Sequence, residues 1–236
     1  KMGIFLEKEY LPKSRETDGY NSLPKGNDIY NYYVKSWTTT NKNPEEINKI
    51  GQQQVAMLRA EMEKVKQQVG FTGTLEEFIN HVKTSPNAMP YKTSKEVLGA
   101  FNGILAKITT KLSSMFSVTP KTKFEIRQTE KFREASASAE YIQGTPDGKR
   151  PGIFYMPLPD PSKFNVTSGM ESLFLHEAIP GHHYQVSLQQ ENTNLPKFMR
   201  FGWFGAYGEG WAHYCETLGP EFGLYTDPYQ KMGYLS

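Results

Sequence analysis

A single cysteine, Cys215, among 236 residues excludes an intrachain disulfide and every thiolate zinc cluster. Any metal held by this chain must therefore be held by histidine and carboxylate. No apolar run approaches the roughly 20 residues a bilayer-spanning helix needs. The opening Lys1-Met2-Gly3-Ile4-Phe5 lacks an apolar stretch long enough for a signal peptide. An excess of one charge is missing too: 27 basic residues stand against 25 acidic ones, a formal +2. The signs are mixed along the chain, so neither a nucleic-acid footprint nor a polybasic membrane segment is indicated.

What is present suits one good-sized domain. The reading is a single catalytic-type region over residues 1–236: a mainly helical part, 1–120, with an extended N-terminal segment, then a small sheet and metal-binding helices over 121–236. The chain starts inside a helical pattern (Ile4, Phe5, Leu6, Tyr10) and reaches Ser236 without a stop signal, so a fragment cut at both ends is expected.

Residues 10 to 43 are rich in Pro, Gly, Asn and Tyr and read as extended chain and turns. At Asn43-Pro44-Glu45-Glu46 a cap, a pre-set first helical position and two acids announce a helix. Its apolar positions, from Ile47 to Val69, recur every three to four residues until Gly70, a C-terminal stop. Thr74-Leu75-Glu76-Glu77 and Thr93-Ser94-Lys95-Glu96 are capping boxes that open two further helices, and Ser168-Gly169-Met170-Glu171 has the same form. Between 122 and 157 the period shifts toward two, around Phe124 and Ile126 and again at Gly152-Ile153-Phe154-Tyr155-Met156, which predicts a small sheet. Residues 198 to 218 return to a helical pattern. The fold class expected is mainly α with a small β-sheet.

Four of the five histidines lie between residues 176 and 213, together with Glu177, Glu209 and Glu216. In the common zinc-peptidase pattern His-Glu-x-x-His, two histidines one helical turn apart face the metal while the glutamate activates water. Here His176-Glu177-Ala178-Ile179-Pro180-Gly181-His182-His183 departs from it. Seven residues, about two turns, would bring His183 round on an unbroken helix, but Pro180-Gly181 argues against an unbroken helix. If Pro180-Gly181 is an inserted bulge, deleting it restores the pattern with His182 as second ligand. His183 then becomes a supporting residue or a donor to a substrate carbonyl. Glu177 is the expected general base.

A catalytic zinc needs a third protein ligand and an open position. Glu209, Ala212, His213 and Glu216 share a helix face. The glycines on either side of Glu209 favour it as ligand and leave Glu216 to orient a histidine, with His213 a supporting residue. Cys215 receives no chemistry. His81, on a short helix, reads as a surface histidine.

The two segments His176-Glu177-Ala178-Ile179-Pro180-Gly181-His182-His183-x-Gln185 and Gly208-Glu209-Gly210-Trp211-Ala212-x-Tyr214-x-Glu216 together resemble the bacterial domain of unknown function 885. The resemblance extends upstream through Tyr10-Leu11-Pro12, Leu23-Pro24-x-Gly26 and Pro44-Glu45-Glu46-Ile47. It implies a mainly helical zinc peptidase, similar in design to the carboxypeptidase and dipeptidyl-carboxypeptidase class whose zinc is held by two histidines and a glutamate, and exported or lipid-anchored. It also implies a peptide substrate lying beside a short strand, for which Gly152, Ile153, Phe154 and Tyr155 are the candidates, and an oxyanion-stabilising segment beyond Ser236. The competing reading is a non-catalytic, metal-stabilised peptide-binding module with four protein ligands. An iron or manganese carboxylate site is disfavoured by the lack of Glu-x-x-His pairs.

Overall fold

Side-chain caps set the helix starts in the middle of the chain. In the computed structural model, which describes residues 1–236, Thr74 and Thr93 each accept a hydrogen bond from the backbone N–H three residues on, while the Glu77 and Glu96 carboxylates accept one from the backbone N–H of the cap residue. Both predicted capping boxes are thus formed.

The chain divides into two units, Lys1–Gln52 and Gln53–Ser236. The first carries α1 (Met2–Phe5), a π-helical turn Leu6–Tyr10 and α2 (Gly26–Thr38). α2 corrects the expectation of extended chain. It starts after Lys25, which sits in left-handed conformation at φ 56. Gly26 is the one residue of α2 that is buried, because a Cβ there would overlap the carbonyl of Tyr20. Tyr20 also packs its ring 5.6 Å from that of Tyr33. Local tertiary packing here overrides the weak helix propensity of Gly, Asn and Tyr.

The division between the units falls within α3 (Pro44–Gln68). In the second unit follow α4 (Leu75–Thr84), α5 (Ser94–Met115), β1 (Phe124–Gln128), α6 (Lys131–Glu134), β2 (Glu140–Ile142) and β3 (Gly152–Met156). Then come α7 (Met170–Glu177), α8 (His182–Glu191), α9 (Lys197–Phe201), α10 (Gly205–Thr217), α11 (Gly219–Phe222) and α12 (Pro228–Leu235). Ser168 does not cap α7. Gly169 does, in left-handed conformation at φ 80, and the Glu171 carboxylate instead accepts from the Tyr225 backbone N–H at 2.6 Å.

The sheet has the order β1-β3-β2, with β1 parallel and β2 antiparallel to the central strand. This bears directly on the peptide-binding strand expected at Gly152–Tyr155. β3 is paired along both edges and has no free backbone to offer a substrate. The sheet's outer edges belong to β1 and β2, and Tyr141 of β2 donates its N–H to Glu177 of the histidine motif.

One core packs the face of α5 carrying Val97, Phe101, Ile104 and Ile108 against Phe154 and Met156 of β3, Phe174 and Leu175 of α7, and Phe222 after α10. Phe101 is wholly buried, and the rings of Phe154, Phe164 and Phe174 lie 5.3 to 6.0 Å from it. A second core joins Met62 and Val65 of α3 to Leu75, Phe78 and Val82 of α4 and to Met232 and Leu235 of α12. Through the first core, α7 is fixed against the sheet, and with it the start of the histidine motif. Phe101→Ala leaves a cavity at the centre of that ring cluster and should lower the unfolding free energy by about 3–5 kcal/mol, measurable as a fall in the urea midpoint at unchanged slope.

Candidate metal centre

α7 ends at Glu177 and α8 begins at His182. Between them the backbone leaves helical conformation, with Ala178 at φ −104, ψ −107 and Gly181 at φ −70, ψ −126, and the Ile179–Pro180 bond is cis. The motif is thus two helices joined by a break rather than one helix carrying a bulge. Gly181 is what the break requires: a Cβ at this position would overlap the carbonyl oxygens of Leu175 and His176. The Trp211 indole N–H donates to the Pro180 carbonyl at 2.8 Å and ties the break to α10.

The break brings the rings of His176 and His182 to 4.7 Å between centroids, nearly perpendicular. Glu209 on α10 places Oε2 3.3 Å from Nε2 of His176 and 3.6 Å from Nε2 of His182. Ligand atoms held about 2.1 Å from a tetrahedral metal are about 3.4 Å apart, and the Glu209 oxygen is spaced in that way from each of the two nitrogens. The chemistry of the set, two imidazoles and a carboxylate, suits zinc. Ligand atoms of Glu177 also come within 4.8 Å of those of His176 and His182. However, Glu177 Oε2 accepts a hydrogen bond from the Tyr141 backbone N–H at 3.0 Å, which holds this carboxylate to the sheet edge. Glu209 is the carboxylate that lies close to both Nε2 atoms.

Glu216, one helical face with Glu209, accepts from His176 Nδ1–H at 2.8 Å. This bond leaves the Nε2 lone pair of His176 aimed at Glu209 and His182, the role such outer partners have around ligating histidines. It also raises the His176 pKa. His182 has no such partner at its buried Nδ1, and burial lowers its pKa. Burial raises that of Glu177, against the opposing pull of His176 and the Tyr141 N–H. His213 stays mostly exposed, its Nδ1 3.4 Å from Glu216. The Glu209 side chain is 59% exposed, so the group is open to solvent on the α10 side.

His183 does not join this group. The next position on α8 turns it toward the sheet, where it is 3% exposed, 3.0 Å from the Tyr141 hydroxyl through Nδ1 and 4.9 Å from the Phe124 ring. Gly152 lacks a Cβ where one would collide with both Tyr141 and His183. Contact with a substrate carbonyl, expected for His183, is therefore corrected to a buried packing role, and burial pushes its pKa down to about 4. Gly152, Ile153 and Phe154 are likewise buried. Cys215 is buried with its thiol pushed up to about 12, which leaves it unreactive.

Tyr141 is the residue the sequence reading missed. It lies in a three-residue strand whose period is too short to detect, and its link to Glu177 spans 36 positions. Trp203, in the connection between α9 and α10 and 5.7 Å from the His182 ring, was missed because no local pattern marks a contact between segments so far apart.

A family model described as bacterial protein of unknown function (DUF885) matches residues 1–236. The chain is also similar to a crystal structure of "the putative lipoprotein from Colwellia psychrerythraea", with a TM-score of 0.90 and 29% identity over 97% of this chain. It spans 40% of that relative's length. No curated protein matches it.

The buried, neutral His183 links stability to pH. Its folded pKa of about 4 lies below the ordinary value of 6.5, so between these values the unfolded chain binds a proton the folded one refuses. Its contribution is fully present above pH 6.5 and is lost as pH falls toward 4, with a slope of at most about 1.4 kcal/mol per pH unit. In metal-free protein held in chelator, His183→Gln should show a shallower loss of stability over this range by urea unfolding. Parallel profiles would contradict the assignment.

Proposed function

The chain belongs to the family of bacterial proteins of unknown function DUF885, and we propose that it carries the catalytic centre of a zinc-dependent peptidase. The observation that carries this reading is the convergence of His176 Nε2, His182 Nε2 and Glu209 Oε2, with a second carboxylate, Glu177, beside them. His176, His182 and Glu209 would hold the ion. When bound, zinc supplies Lewis acidity toward a scissile carbonyl and toward water.

The other roles fall to this chain's own groups. Glu216 keeps the proton of His176 on Nδ1 and so keeps Nε2 free. Glu177 takes a proton from water on its carboxylate and passes it to the leaving amine. Its burial supports this role, because desolvation raises its pKa and so makes the carboxylate a better proton acceptor. The Tyr141 N–H, directed away from β3 toward Glu177, holds that carboxylate in place. A peptide would lie beside Glu177; the Tyr141 N–H at the outer edge of β2 is already given to that carboxylate and is not free to pair with an added strand. The central β3 is excluded by its two partners.

Export or lipid anchoring belongs to the same reading, supported by the lipoprotein description of the Colwellia relative. No helix here is long and apolar enough to cross a membrane.

The test is Glu177→Gln in purified full-length protein. The variant should keep stoichiometric zinc and lose turnover of a broad peptide library by roughly 10²–10⁴-fold. Release of zinc by the same variant would make Glu177 a fourth ligand and favour the non-catalytic module. A zinc-loaded wild type that cleaves no peptide would also refute the proposal.

A further inference from the structure

Tyr141 touches both ends of the break between α7 and α8. Its backbone N–H donates at 3.0 Å to Oε2 of Glu177, the last residue of α7. Its hydroxyl lies 3.0 Å from Nδ1 of His183, the second residue of α8. The phenol ring stands edge-on to that imidazole, 5.6 Å between centroids at 73°. Room for the pair exists because Gly152 of β3 has no Cβ, which would overlap the Tyr141 hydroxyl and His183 Nδ1 together.

The anchor of the pair is His183. It is buried, packed against the Phe124 ring and close to the buried Ser187 on its own helix, so it has no room to turn away. β2 has little else to hold it, being three residues long, at the edge of the sheet and paired on one side only. Short edge strands open locally at small cost. In an antiparallel ladder alternate residues face the neighbouring strand, and the N–H of Tyr141 goes to Glu177 instead of β3. The side chain is therefore what ties this residue down. On Glu177 the bond engages Oε2 alone, which aims the carboxylate in one direction. Released from it, the carboxylate is free to rotate toward the nitrogens of His176 and His182, already within 4.8 Å, where it becomes a rival ligand.

We propose that Tyr141 is a positioning residue for the general base, and that His183, through the Tyr141 hydroxyl, sets the orientation of the Glu177 carboxylate. The third histidine of the motif thus serves the proton acceptor rather than the ion. The inference rests on the peptidase reading of Glu177 and extends it to a side chain that touches neither metal ligand nor substrate, but the positioning itself can be measured without turnover.

The test uses zinc-loaded full-length protein and reads amide exchange as well as turnover. Hydrogen exchange at the residue-141 amide, resolved by NMR, should be slow in the wild type and about tenfold faster in both Tyr141→Phe and His183→Leu, with the Phe101 amide in the core unchanged. Peptide turnover should lose roughly 10–100-fold in kcat at unchanged KM and full zinc content. The double variant should lose no more than either single one. His183→Asn, which keeps a polar group near the Nδ1 position, should recover most of both losses. A packing role alone predicts the reverse order, because leucine suits a buried site better than asparagine. Wild-type exchange and kcat in Tyr141→Phe, or better recovery by Leu than by Asn at 183, overturns the inference and leaves the peptidase reading intact. A wild type that cleaves no peptide, together with faster exchange in Tyr141→Phe and recovery by Asn, refutes the peptidase reading alone and upholds the positioning of the Glu177 carboxylate.

Discussion

Four residues between α7 and α8 decide what the histidines can do. On a continuous helix His176 and His182 would point in directions about 120° apart, since six residues advance the helix by about 1.7 turns. The break at Ala178-Ile179-Pro180-Gly181 removes that constraint. Its closeness depends on Gly181, which lies against the carbonyls of Leu175 and His176 where no side chain fits. Everything else in the centre is arranged on this turn: Trp211 fastens it to α10, α10 delivers Glu209 to the paired imidazoles, and Glu216 from the same face fixes the tautomer of His176. The same turn sends His183 the other way, into the packing between α8 and the sheet.

The division of labour between the acids follows from burial and partners. Glu209 is the exposed carboxylate, near both Nε2 atoms, and sits on the open side of the group. Glu177 is more buried and is tied to the edge of β2 by one backbone N–H. Glu216 is taken up by histidine. Three carboxylates close together would repel in isolation, and the two imidazoles between them offset that repulsion.

Much of this was legible in the chain because it is local. Capping boxes at Thr74 and Thr93 and the apolar period of α3 and α5 are set by neighbours three and four residues apart, and the structure starts these helices within a residue of the predicted caps. The His and Glu cluster stood out because its residue types and spacing are rare. What was not legible is non-local. α2 forms over a Gly- and Asn-rich stretch because Tyr20 packs back on it. β3 became the central strand because β2, only three residues long, pairs on its far edge. The orientation of His183 depends on Tyr141 and Gly152, about 40 and 30 positions away, and no period in the sequence encodes it. The family resemblance and the structure agree on a mainly helical fold with a small sheet.

The account stands or falls on which atoms converge. A zinc-loaded crystal with anomalous diffraction at the zinc edge measures that directly. It should show one ion about 2.0–2.2 Å from Nε2 of His176, Nε2 of His182 and a carboxylate oxygen of Glu209, with His183 uncoordinated. An ion held through His183, or no ion at the break between α7 and α8, would contradict it.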